Sequence, residues 1–127
     1  MKKPVLVVGN EMDSSDAIPL NIIKEWTETF PRFVFIPWDP TEELPEECTS
    51  DIVLIDSVKG IRNVRIFNSL DEFYLSPRNT VHDFDLPVAL KLLQKLHKID
   101  TVKIIGIPYG ENTEELKNQV LSILQSI

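Results

Sequence analysis

Four short runs of nearly unbroken apolar residues constrain this chain more than any other feature: PVLVV at 4–8, FVFI at 33–36, DIVLID at 51–56 and VKIIGI at 102–107. The first is rich in β-branched residues and halted by Gly9 and Asn10, which is how a strand covered on both faces of a parallel sheet reads. The third is apolar in its middle and ends on a carboxylate, Asp56. Between the runs the period changes to that of helices. Residues 17–30 carry a stripe of Ile18, Ile22, Ile23 and Trp26, with Asp16 placed as an N-cap and Pro19 in the first turn, where it is tolerated. Residues 85–98 bring Leu86, Leu90, Leu93 and Leu96 near one face behind Asp85 and Pro87, and residues 114–127 do the same with Leu116, Val120, Ile123 and Leu124. A polar–apolar alternation at 63–67 (NVRIF) predicts an edge strand or hairpin partner, and 71–75 a short helix. Strands alternating with helices predict an α/β fold: a three-layer αβα sandwich with a mostly parallel sheet of about five strands, one of them an antiparallel edge strand.

Size and charge narrow the roles open to such a fold. A length of 127 residues suits a single domain spanning 1–127. A net charge of −7 repels phosphate backbones, so no nucleic-acid partner is expected. The one cysteine, Cys48, forms no internal disulfide and lies in a Pro- and Glu-rich loop, 39–48, whose charges raise rather than lower a thiol pKa; a nucleophilic role is not expected of it. The apolar run behind Met1, Lys2 and Lys3 is too short for a signal peptide or a membrane span, so a cytoplasmic, membrane-free protein is expected.

Right-handed crossovers bring the C-terminal ends of parallel strands to one edge, where ligands of open α/β sheets bind. Three segments meet that criterion: 9–16, 56–60 and 80–85, the last because it precedes a helix that returns to the sheet. Each offers one chemical group. Asp56 is either a loop cap or a charge that needs a metal, a partner or a hydrogen-bond cage. Asp16 is either a helix cap or a ligand. His82 is either a loop histidine, a histidine bonded to Asp83 or Asp85, or a ligand. Together two carboxylates and an imidazole form an oxygen and nitrogen donor set that nickel or zinc accepts, with Asp83 or Asp85 available to orient His82. Other motifs carry less: Gly9 is not followed by the further glycines of a dinucleotide turn, there is no P-loop or nucleophile elbow, His97 stands at a Lys-flanked helix end, and Trp26 and Trp38 read as packing residues.

These residues resemble the hydrogenase maturation endopeptidases, above all those serving formate hydrogenlyase. The likeness runs through Val5-Leu6-Val7-Val8-Gly9-Asn10, through the carboxylate six residues beyond Asn10, through Leu54-Ile55-Asp56-Ser57-Val58, through Thr80-Val81-His82 ahead of Pro87, and through Ile105-Gly106-Ile107-Pro108. Ala17-Ile18-Pro19 stands where many members have glycines, Asp39-Pro40-Thr41 replaces a glycine-rich turn, the turn after the second ligand is reduced to Gly60, and the segment after Pro108 is short. Those changes trim the cleft rim and bear on substrate choice.

The resemblance implies an endopeptidase that removes the C-terminal extension of a nickel–iron hydrogenase large-subunit precursor once nickel is installed. Asp16, Asp56 and His82 would complete the coordination of nickel that arrives in the precursor, and the free enzyme, a monomer, would hold little metal of its own. Two routes to the attacking water stay open, activation by the ion or a carboxylate base such as Asp16. A precursor-binding module without cleavage, a small-molecule enzyme on the same sheet edge and a plain interaction domain are the alternatives.

Overall fold

The computed structural model describes residues 3–8, 25, 26, 28, 30–39, 42–48, 50–58, 61–74, 85–108 and 114–126. The strands are β1 (Lys3–Val7), β2 (Phe33–Pro37), β3 (Asp51–Val58), β4 (Arg65–Phe67) and β5 (Thr101–Pro108); the helices are α1 (Leu70–Tyr74), α2 (Asp85–Lys95) and α3 (Glu114–Ser126). Helical backbone is also found at Glu25, Trp26 and Glu28, where Phe30 N–H donates to Trp26 O at 2.8 Å. This is the end of the helix expected over 17–30; its earlier part lies outside the described residues.

The sheet order is β2-β1-β3-β5-β4. Pairing is parallel throughout except for β4, which runs antiparallel to β5 at the edge. The expected α/β sheet with one antiparallel edge strand is therefore present. Its centre is β3, where every residue from 52 to 58 is buried, as two-sided cover of a parallel strand requires.

Alternate residues of the strands feed two separate cores. On one face Leu6, Ile52, Leu54 and Ile104 pack with Leu90 of α2, Leu70 of α1 and Trp38. On the other Val5, Val53, Ile55 and Ile105 pack with Trp26 and with Leu116, Val120 and Leu124 of α3. Each fully buried aliphatic side chain of this kind contributes about 2 kcal/mol, so both faces stabilise the sheet. Both tryptophans are packing residues: Trp26 meets Phe30 and Phe35 edge-on at 6.2 and 5.9 Å, and Trp38 is buried.

Several boundaries differ from the sequence expectation, among them the ends of β3 and α2. Strand β3 continues two residues past Asp56, because Asp56, Ser57 and Val58 pair with Gly106, Ile107 and Pro108 of β5. Helix α2 stops at Lys95 instead of Lys98, and Leu96, expected on the buried stripe, is 56% exposed. The helix is ended by a C-terminal turn centred on His97, whose φ is 60°. His97 N–H donates to Gln94 O at 3.1 Å and Lys98 N–H to Leu93 O at 2.9 Å, the two bonds of a Schellman cap. Glycine normally holds that left-handed position, since a Cβ is crowded there. His97→Gly is expected to raise the unfolding free energy by about 0.5–1 kcal/mol, read as a higher urea midpoint with an unchanged m-value.

Candidate active site

Asp56 is the one member of the expected trio among the described residues; Asp16 and His82 lie outside them. Its side chain is fully buried, and Oδ1 accepts the N–H of Ser57 at 2.9 Å. That bond comes from the next residue along the strand, so the carboxylate is held close to its own backbone. The sequence reading of a carboxylate at the head of β3 holds, although it stands inside the strand and not at the start of a loop.

Its place in the sheet is informative. Strand β1 pairs with β2 on one side and β3 on the other, so the chain reverses its winding direction between β1 and β3. Ligand crevices of open α/β sheets lie outside the strand ends at such a reversal. Val7 is in register with Ile55, and Val8 N–H donates to Ile55 O at 2.9 Å, so the chain leaves β1 one strand over from Asp56. Asp16 follows eight residues later. On the other side, Asp100 N–H donates to Ser50 O at 2.6 Å, tying the segment after α2 to the start of β3. Helix α2 thus ends at the opposite edge of the sheet and begins toward the edge that holds Asp56. Its first residue, Asp85, is three positions after His82.

Asp56 also belongs to a row across three strands. It is in register with Gly106, which is in register with Arg65. Paired residues share a face, so the carboxylate and the guanidinium flank a residue without a side chain. A Cβ on Gly106 would meet Val58 Cγ2 at 2.9 Å and Phe67 Cε2 at 3.2 Å, so glycine is what lets those two groups close over the strand. Arg65 stacks above Phe67 with 4.8 Å from guanidinium carbon to ring centre, and Nη2 lies 3.9 Å from Glu72 Oε1. Sequence reasoning missed Arg65; the alternation in NVRIF, which puts it on the same face as Phe67, was the available signal.

Ser57 points the other way. It is fully buried, and its Oγ has no hydrogen-bond partner among the described residues. Ser57→Ala removes a desolvated hydroxyl but keeps the N–H that holds Asp56. It is expected to leave stability unchanged or raise it by up to about 1 kcal/mol in urea unfolding. Cys48 is buried, and burial followed by the Glu47 charge pushes its thiol above the ordinary 9.0, in keeping with an inert residue.

Among the described residues no three His, Cys, Asp or Glu side chains gather as a metal site, and no helix is long and apolar enough to cross a membrane. The described geometry is that of an open α/β sheet presenting a buried carboxylate at its winding reversal.

Solved structures give that fold a class: it is the fold of the hydrogenase maturation proteases. A hydrogenase 3 maturation protease superposes with a TM-score of 0.66 at 21% identity, over 98% of this chain and 88% of that one. The endopeptidase HycI from Escherichia coli gives 0.60 at 20% identity, again over 98% and 88%. An uncharacterized protein from Wolinella succinogenes gives 0.61 at 18% identity, over 99% of this chain and 94% of that one. No family model and no curated protein matches the chain. The resemblance read from the residues therefore holds at the level of the fold.

Proposed function

We propose that this protein is an endopeptidase that removes the C-terminal extension of a nickel–iron hydrogenase large-subunit precursor after nickel insertion. The observation that carries the reading is the fully buried Asp56 carboxylate at the reversal between β1 and β3, in a fold shared with maturation proteases. A buried carboxylate is a desolvated oxygen donor, the kind of group that binds a divalent cation delivered by the substrate.

In this reading nickel is part of the substrate. Asp56, Asp16 and His82 supply two oxygen donors and one nitrogen donor, a set suited to a borderline divalent ion. The bound ion contributes polarisation of a nearby carbonyl or water. Asp56, fixed by Ser57 N–H, is the pre-set ligand. The attacking water is activated by the ion or by Asp16 as base, and His82 orients the ion from the segment ahead of α2. The chain works as a monomer in the cytoplasm, and the free enzyme holds little metal.

The test is cleavage of a purified precursor with its extension, loaded or not loaded with nickel. Processing is expected only of the loaded form, seen as a gel shift. Asp16→Ala and His82→Ala are each expected to lower the rate by about 10² or more while leaving the far-ultraviolet spectrum unchanged. Tight binding of the precursor without any shift would replace the protease by a binding module. Equal processing of nickel-free precursor would remove the role given to the ion.

A further inference from the structure

Helix α2 wears more apolar surface than the core uses. Val88, Leu92 and Leu96 are 54, 54 and 56% exposed, and they are the exposed large apolar side chains among the described residues. Steps of four residues stack them along one side of the helix, next to the side that buries Leu90. Leu92 also belongs to a groove of about 530 Å³ between α2 and the segment 42–48. Ala89 and Leu93 line it on the helix side, and Trp38 and Leu44 on the other.

The wall facing the helix is acidic. Glu42, Glu43 and Glu46 line the groove, and all three are exposed. Their backbone is held in place: Trp38 Nε1–H donates to Glu43 O at 3.2 Å, Glu42 N–H to Asp39 O at 2.8 Å, and Cys48 N–H to Pro45 O at 3.0 Å. One cation, Lys98, lines the groove together with these carboxylates. Lys98 closes the end beyond α2, while Lys91, paired with Asp71 at 3.9 Å, and Lys95 follow the stripe on the side away from the acidic wall.

We propose that this groove docks an apolar segment of a partner protein that carries Lys or Arg along the flank facing Glu42, Glu43 and Glu46. An apolar stripe beside one wall of like charge recognises the amphipathic segment of opposite charge and repels its acidic counterpart. The same wall argues against the other occupants of an exposed stripe. A two-fold pair with its α2 helices antiparallel would bring two acidic walls together in a protein of net charge −7, and an anionic lipid surface would meet them as well. Asp56 is not among the described residues that line the groove, so docking here does not depend on the peptidase reading.

The test uses the full chain and a synthetic amphipathic peptide of Leu and Lys, about four helical turns long, with a Leu and Glu counterpart. Amide and methyl NMR is expected to show saturable shifts centred on Leu44, Ala89, Leu92 and Leu93 with the Lys peptide. The Glu peptide is expected to bind at least about tenfold more weakly. The same loss is expected of the Lys peptide with Leu92→Asp/Leu96→Asp, and with Glu42→Gln/Glu43→Gln/Glu46→Gln, all at exposed positions that leave the melting temperature in place. Glu114→Gln/Glu115→Gln, on α3 at the other face, is expected to change affinity by less than about twofold. Equal binding of both peptides, shifts centred elsewhere, or undiminished binding by the groove variants would overturn the proposal. So would sedimentation equilibrium showing a dimer that Leu92→Asp dissociates, which would assign the stripe to a second copy.

Discussion

Asp56→Asn is expected to yield a folded protein whose processing of nickel-loaded precursor falls by about 10²–10³ or more. The substitution isolates one property. Asparagine keeps the shape of the side chain and an oxygen that accepts Ser57 N–H, now at 2.9 Å, but it removes the negative charge. A neutral amide oxygen is a poorer donor to a divalent ion than a carboxylate, so recognition of nickel suffers while the strand stays in place. Asp56→Ala confounds the two effects, because it strips Ser57 N–H of this acceptor in a fully buried place at a cost of about 1–3 kcal/mol. Asp56→Glu restores the charge but adds a methylene where nothing is exposed, so it is not expected to rescue the rate. Ser57→Ala, one residue on, is the matched control. Single-turnover cleavage, with thermal melts of each variant, reads the outcome; wild-type processing by the folded Asn variant would remove Asp56 from the site.

The second large effect concerns stability. Gly106→Ala is expected to destabilise the protein by about 2 kcal/mol in urea unfolding. Its new Cβ would stand 2.9 Å from Val58 Cγ2 and 3.2 Å from Phe67 Cε2. Both neighbours are fully buried, and Val58 is β-branched within the central strand, so neither turns away freely. The double variant Gly106→Ala/Val58→Ala tests the cause. Val58→Ala alone leaves a cavity and costs about 2 kcal/mol, but in the Gly106→Ala background part of that space is filled. The double variant is expected to be more stable than the sum of the singles by about 1 kcal/mol or more. Additive losses would show that the clash is not the reason for glycine there. Gly106 lies beside Asp56 in the sheet, so the same clash also moves the floor of the candidate site, and Gly106→Ala is expected to lower processing along with stability.

Particular elements show why some features were legible in the residues and others were not. The α3 stripe of Leu116, Val120 and Leu124 is buried as its spacing indicated, because a helix long enough to lie on a sheet needs only one apolar face. Leu96 failed the same argument: its N–H still donates to Leu92 O at 2.9 Å, and it falls on the exposed side with Val88 and Leu92, while the αL turn at His97 ends the helix just beyond it. Periodicity records which face a residue prefers, whereas the end of a helix is decided by a few backbone bonds that a histidine does not advertise. Asp56 was legible as a carboxylate at the end of an apolar run, yet the two residues beyond it are strand because β5 is long enough to pair with them. The acidic segment 42–48 read as a loop, which it is; that it forms the wall of a groove depends on where α2 comes to rest against it.

The chain's alternation of unbroken apolar runs with helical stripes was enough by itself to determine an α/β architecture, its two-sided core and a carboxylate toward the C-terminal end of β3, because burial on one or two faces leaves its period in the order of residues. Only the tertiary structure decided that β3 lies between β1 and β5, that β4 runs antiparallel on the far side of β5, and that Asp56, Gly106 and Arg65 form one row. Such neighbours are fixed by contacts between distant positions, as when Val64 N–H reaches Gln119 Oε1 across 55 residues, and no local pattern encodes a partner that far along the chain.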